Sequence, residues 1–150
     1  MQVRIVQQSF DPQAEVTAFV AGRDDAGALV SFVGTCRAAT DGVEVRELHI
    51  DHYPGFSEKE IARLADEVSA RFDCPDMLVV HRVGAILPGD AIVLVAALST
   101  HRANAFDAVR VLMDYLKTDA PFWKKEEFAL GEARWVEARE SDAETAARWG

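Results

Sequence analysis

No stretch of this sequence approaches the roughly 20 consecutive apolar residues that a helix needs to cross a bilayer. Met1-Gln2-Val3-Arg4-Ile5-Val6 lacks the long apolar segment of a secretory signal. Cysteine is scarce: Cys36 and Cys74 are too few for a disulfide framework and show no metal-ligand spacing, so a reducing cytoplasm is the expected compartment. His49, His52 and His81 form neither HxH nor HExxH, which argues against zinc, and no resident metal or cofactor is expected. A glycine-rich phosphate loop and a Gly-x-Ser-x-Gly nucleophile turn are absent too. Positive charge is in short supply, with 16 Lys and Arg against 25 Asp and Glu. The net charge of -9 argues against general nucleic-acid binding, which needs a basic footprint.

What is present is an ordinary globular composition, 49% hydrophobic and 27% charged. With no repeat, linker or low-complexity segment, residues 1–150 are expected to form one domain with a proper core. Asp11-Pro12 predicts a helix start, with Asp as N-cap and Pro at the first position, and Gly22 near the end. Ala28–Arg37 alternates as a strand, and Asp41-Gly42 predicts a hairpin into a second strand, Val43–His52. Ser57-Glu58-Lys59-Glu60 reads as a capping box before a helix presenting Ile61, Leu64, Ala65, Val68 and Phe72 on one face. Strands follow at Met77–Val83 and Ala91–Ser99 around the turn Leu87-Pro88-Gly89-Asp90. The next helix carries Phe106, Val109, Leu112, Met113 and Leu116 and must stop before Pro121. Phe122–Phe128 and Arg134–Arg139 complete a hairpin around Leu130-Gly131-Glu132. About three helices with mostly antiparallel, hairpin-linked strands predict an α+β fold.

The candidate chemistry lies in the few cations. Lys117 falls in the last turn of its helix and Lys124 starts a strand seven residues later, with Asp119-Ala120-Pro121 turning the chain between them. Both ammonium groups can therefore enter one space. A second cation, or an apolar lining from Phe122 and Trp123, favours the nucleophilic amine form of a lysine. Taken alone, a lysine at a helix C-terminus is more simply explained by the macrodipole. Strand alternation places Lys124 on one face with Phe122 and Glu126, leaving Lys125 as a rim charge. His101-Arg102 opens the helix that ends in Lys117, where free amides and an arginine suit an anion; capping alone is the other reading. Gly34-Thr35-Cys36-Arg37 closes the first strand, Gly34 permitting either close ligand approach or a bulge. Cys36 beside Arg37 is either a thiol of depressed pKa or a buried strand residue. These cations on an acidic chain point to a small anionic ligand or to scattered surface charge.

The run from His101 to Glu126, ending Leu116-Lys117-Thr118-Asp119-Ala120-Pro121-Phe122-Trp123-Lys124-Lys125-Glu126, resembles the large, catalytic subunit family of molybdopterin synthases. Val33-Gly34-Thr35-Cys36-Arg37, His52-Tyr53-Pro54-Gly55, His81-Arg82-Val83-Gly84 with Pro88-Gly89-Asp90, and Trp135-Val136-Glu137-Ala138-Arg139 match the family in the same order. Asp51 and Phe56 depart mildly, standing where Glu and Met are common. The resemblance implies an alpha/beta-hammerhead fold and a sulfurtransferase that converts cyclic pyranopterin monophosphate into molybdopterin. Its sulfur donor would be the C-terminal Gly-Gly thiocarboxylate of a small ubiquitin-like carrier. A homodimer with one carrier at each end would make a heterotetramer.

By the same resemblance, Lys117 and Lys124 match the catalytic lysines, and Thr35, Cys36, Arg37, His101, Arg102, Lys125, Glu126 and Arg139 the substrate-binding residues. Arg139 is expected to serve a neighbouring subunit's pocket. Two other readings compete: a non-catalytic dimeric adaptor for ubiquitin-like tails, and a sulfurtransferase using a Cys36 persulfide.

Overall fold

The computed structural model describes residues 1–129 and 131–136. In chain order these form β1 (Gln2–Val6), α1 (Pro12–Val20), β2 (Ala28–Thr35), β3 (Ala39–Thr40), β4 (Val43–His52), α2 (Phe56–Arg71), β5 (Asp76–Arg82), β6 (Gly84–Ile86), β7 (Ala91–Ser99), α3 (Arg102–Thr118), β8 (Phe122–Phe128) and β9 (Ala133–Val136). The α+β expectation holds. Two sheets are built, one ordered β1-β5-β7-β2 and one ordered β3-β4-β8-β9, with β6 also paired to β4. Only β1 with β5 is parallel among these pairings.

The first sheet carries the main core. Alternation along β5 and β7 sends Met77, Val79, Val93 and Val95 to one face and Leu78, Val80, Leu94 and Leu98 to the other. α2 and α3 cover the first face with Ile61, Leu64, Val68, Leu112 and Leu116. α1 covers the second with Phe19. Both central strands are therefore buried on both faces, which explains their unbroken apolar runs. A smaller cluster of Leu48, Ile50, Val83 and Ile86 lies with Cys36 against the second sheet.

Several elements differ from the sequence expectation. Asp41 and Gly42 both have positive φ, 51° and 79°, as a tight hairpin turn requires, but its first arm is the two-residue β3. β2 instead pairs with β7, across most of its length. Ser57 does not cap α2. The helix starts at Phe56 after Gly55, whose N–H donates to Glu58 Oε2 at 2.6 Å. On α3 the buried stripe runs Ala105, Ala108, Val109, Leu112, Tyr115 and Leu116, while Phe106 is 57% exposed. One helical step from Ala105 turns Phe106 about 100° off that face. The short strands β1, β3 and β6 were not anticipated. The predicted Leu130 and the end of the last strand, through Arg139, lie outside the described residues.

Candidate active site

The site begins where α3 stops. The Asp119 N–H donates to the Tyr115 carbonyl at 2.6 Å, and Thr118 Oγ1 donates to the Asp114 carbonyl at 3.0 Å. Pro121 cannot continue the helix, and a tight turn closes with Phe122 N–H donating to the Ala120 carbonyl at 2.9 Å. Ser57 braces this corner. Its hydroxyl accepts from the Tyr53 N–H at 3.0 Å and donates to the Pro121 carbonyl at 3.1 Å, linking the start of α2 to the start of β8.

Strand β8 then runs antiparallel to β4, with Phe122 opposite His52 and Lys124 opposite Ile50. Phe122, Lys124 and Glu126 line one cavity, as alternation requires. Trp123 does not line it, contrary to expectation: its ring meets Tyr53 edge-on, centroids 4.8 Å apart. Lys125, across from His49 and Trp135 in the sheet, is also outside the lining.

The opposite wall is the end of β2. The register slips between Gly34 and Thr35, so Gly34 marks a bulge, and it lines the cavity as well. A Cβ at Gly34 would stand 2.9 Å from Val93 Cγ1, so glycine is needed for close packing. Beyond the bulge, the Cys36 N–H donates to the Asp90 carbonyl at 2.9 Å, and Gly89 N–H returns a bond to the Cys36 carbonyl at 2.8 Å. Arg82 fastens that loop from below, donating to Asp90 Oδ2 and to the Ala85 carbonyl, each at 3.0 Å. Burial, then the charges of Glu126 and Asp90, push the Cys36 thiol up, against a smaller pull from Arg37. A depressed thiol, as a persulfide carrier would want, is not what this wall provides.

The cavity between these walls measures about 650 Å³, within the range of small-molecule sites. Arg37, Lys117 and Lys124 bring three cations to the described lining, against the single carboxylate of Glu126, and Thr35 and Cys36 also line it. A basic pocket on an acidic chain is therefore a feature of the structure. A recess of about 70 Å³ shares Thr35, Lys117 and Lys124 with this cavity and is also bounded by His81. In the sequence His81 stands out only as part of the motif His81-Arg82-Val83-Gly84 and is not assigned to the site, because it follows an apolar run with nothing local to mark it as a lining residue. Glu126 accepts from the Thr40 hydroxyl, which ties β3 to the cavity rim.

His101 and Arg102 are exposed at the far end of α3. Fifteen residues at 1.5 Å per residue put Arg102 roughly 22 Å from Lys117, so one chain does not bring them to the same cavity. Arg139 lies outside the described residues.

Comparison with known proteins matches this arrangement to one family. The family model described as "MoaE protein" matches residues 5–119. The molybdopterin synthase catalytic subunit of Ralstonia nicotianae is 51% identical over 148 residues, covering 99% of this chain and 84% of that protein. The molybdopterin biosynthesis MoaE protein of Burkholderia ambifaria superposes with a TM-score of 0.81 at 46% identity, covering 99% of this chain and 97% of that one. A chain from the complex of subunits 1 and 2 of molybdopterin-converting factor from Helicobacter pylori shares the fold, with a TM-score of 0.73 at 22% identity over 92% of this chain and 90% of that one. The matched segment takes in the bulged end of β2 and the helix that delivers Lys117, and the chain belongs to the MoaE family.

Proposed function

We propose that this protein is the sulfur-transferring catalytic subunit of a molybdopterin synthase. It takes sulfur from the C-terminal Gly-Gly thiocarboxylate of a small ubiquitin-like carrier and installs two sulfurs on cyclic pyranopterin monophosphate, making the molybdopterin dithiolene. The observation that carries this reading is the meeting of Lys117, Lys124 and Arg37 around one cavity on a chain of net charge -9. Both reactants are anions, and fixed cations in a partly enclosed site stabilise charge without reorganising during the reaction. Arg37 suits the cyclic phosphate, since a guanidinium offers two parallel donors. Lys117 acts as the central acid/base or as the nucleophile toward the carrier's acyl group. Lys124 assists proton transfer at the hemithioketal-type intermediates. Thr35, Cys36 and Glu126 complete the substrate wall, and Lys125 is a rim charge.

The carrier's tail threads into this cavity; the named partnership of subunits 1 and 2 in the H. pylori complex supports a small-subunit partner here too. A homodimer forms the core of the assembly, with one carrier at each end. Exposed Leu29, Phe32 and Val33 on the edge strand β2 offer it apolar surface. Dimerisation also gives His101, Arg102 and Arg139 a pocket to serve, that of the neighbouring copy. Residues 1–150 work as one catalytic domain in the cytoplasm, where Cys36 and Cys74 remain the free thiols seen in the structure.

The test is reconstitution from purified protein, thiocarboxylated carrier and cyclic pyranopterin monophosphate, with dithiolene as the readout. Wild type forms product and Lys117→Ala does not. Carrier binding without product from wild type would replace this reading with that of a non-catalytic adaptor.

A further inference from the structure

We propose that Arg82 is a positioning residue for Arg37: it clamps the turn between β6 and β7, and that turn holds the backbone from which Arg37 enters the cavity. The inference rests on the reading of Arg37 as the group that binds the cyclic phosphate.

Arg37 lies just beyond regular structure. β2 ends at Thr35, after the slip in register at Gly34, and β3 begins only at Ala39. The residues on either side of Arg37 are each tied down by their backbone. On one side Cys36 exchanges two bonds with the turn, its N–H donating to the Asp90 carbonyl and its carbonyl accepting from Gly89 N–H. On the other, the Ala38 carbonyl accepts from Val45 N–H at 2.9 Å. The direction in which Arg37 leaves the chain is therefore no better fixed than the Gly89-Asp90 turn. Packing does little to hold that turn. Leu87 is 56% exposed, and Gly89, at a φ of 90°, has no side chain to bury.

Arg82 supplies the hold. It is the last residue of the interior strand β5 and only 9% exposed. Its guanidinium bridges two points further along the chain, the Ala85 carbonyl and the Asp90 carboxylate. A planar fork of donors fixes both acceptors at once, which a single ammonium does not. As a source of stability this arrangement is poor. A buried ion pair gains little over its desolvation, and Nε is buried with no hydrogen-bond partner among the described residues. What it secures is geometry. It also offsets charge: Asp90 is near enough for its carboxylate to act on Cys36, the neighbour of Arg37. Pairing with Arg82 counters that negative charge beside a site that must attract an anion.

The test measures the affinity for cyclic pyranopterin monophosphate by isothermal titration calorimetry, with carrier affinity measured beside it. Arg82→Met fills similar space without donors and should weaken binding of the cyclic phosphate about tenfold, while the carrier binds within about twofold of wild type. Arg82→Lys keeps the charge but not the fork; it should lose about threefold, and it serves where the methionine variant does not fold. Action through Arg37 has a further signature that a general loosening of the fold lacks. In an Arg37→Ala background, Arg82→Met should cost nothing more in affinity for the cyclic phosphate. Unchanged substrate affinity in the folded Arg82 variants would overturn the proposal, and so would a loss that adds in full to that of Arg37→Ala. Wild-type affinity in Arg37→Ala would remove Arg37 from the phosphate site and the proposal with it. A wild type that binds the cyclic phosphate but forms no dithiolene would instead overturn the synthase reading, while the calorimetry would still decide the part played by Arg82.

Discussion

Lys117 lines the cavity with Cys36 and the recess with His81, and the three are expected to respond to substitution in three different ways. Lys117→Ala removes the exposed amine at the end of α3 and should lower turnover by roughly 10²–10⁴-fold, the usual contribution of a positioned acid/base, with carrier binding retained. Cys36→Ala should keep most of its turnover in the same dithiolene assay, because burial and the nearby carboxylates of Glu126 and Asp90 hold the thiol protonated. His81 shows itself in stability rather than in charge at neutral pH. Its folded pKa, about 3, is below the ordinary 6.5, so above pH 6.5 it is neutral both folded and unfolded. As pH falls from 6.5 toward 3 the unfolded chain takes up a proton that the folded one refuses, and stability drops by up to about 1.4 kcal/mol per pH unit. Urea midpoints measured across that window should fall less steeply for His81→Phe than for wild type.

At the scale of elements, the corner between α3 and β8 decides where the two lysines go. Ser57 is central to it although it caps nothing: fully buried, it satisfies the Tyr53 N–H and the Pro121 carbonyl. Ser57→Ala strands both groups and should cost about 1–3 kcal/mol in chemical denaturation, with a larger loss of turnover than of carrier affinity as the corner loosens. The helices were legible in the sequence because a 3.6-residue apolar period, an Asp-Pro start and a Pro stop act locally. Phe106 escaped that logic, since composition does not say which of two adjacent apolar residues meets the sheet. Lys124 was placed on its correct strand face by alternation alone, but Trp123 was not, because a large apolar ring gives no sign that it will pack on Tyr53 outside the cavity. β1 was missed because five residues containing Gln2 and Arg4 carry too little pattern. It is a strand only by virtue of its pairing with β5, more than 70 residues away.

For the whole molecule, the distance between the two ends of α3 yields the clearest prediction. If His101 and Arg102 serve a neighbour's cavity, Lys117→Ala and Arg102→Ala chains mixed in equal amounts should complement each other. Each hybrid dimer then holds one cavity with both residues intact and one with neither. Random pairing should restore about a quarter of wild-type activity from two nearly inactive parents. Additive residual activity in the mixture would show that Arg102 does not act across subunits. The sequence by itself determined the α+β class, the main helices, the direction of Lys124 and, through its resemblance, the family. All of these depend on local pattern or on motifs contiguous in the chain. The tertiary structure decided that β2 lies beside β7, that Gly34 must be bare because Val93 approaches it, that His101 and Arg102 stand a helix length from Lys117, and that His81 shares a recess with both lysines. Those facts depend on which distant segments pack together, and that is set by the fit of whole faces rather than by any residue's immediate neighbours.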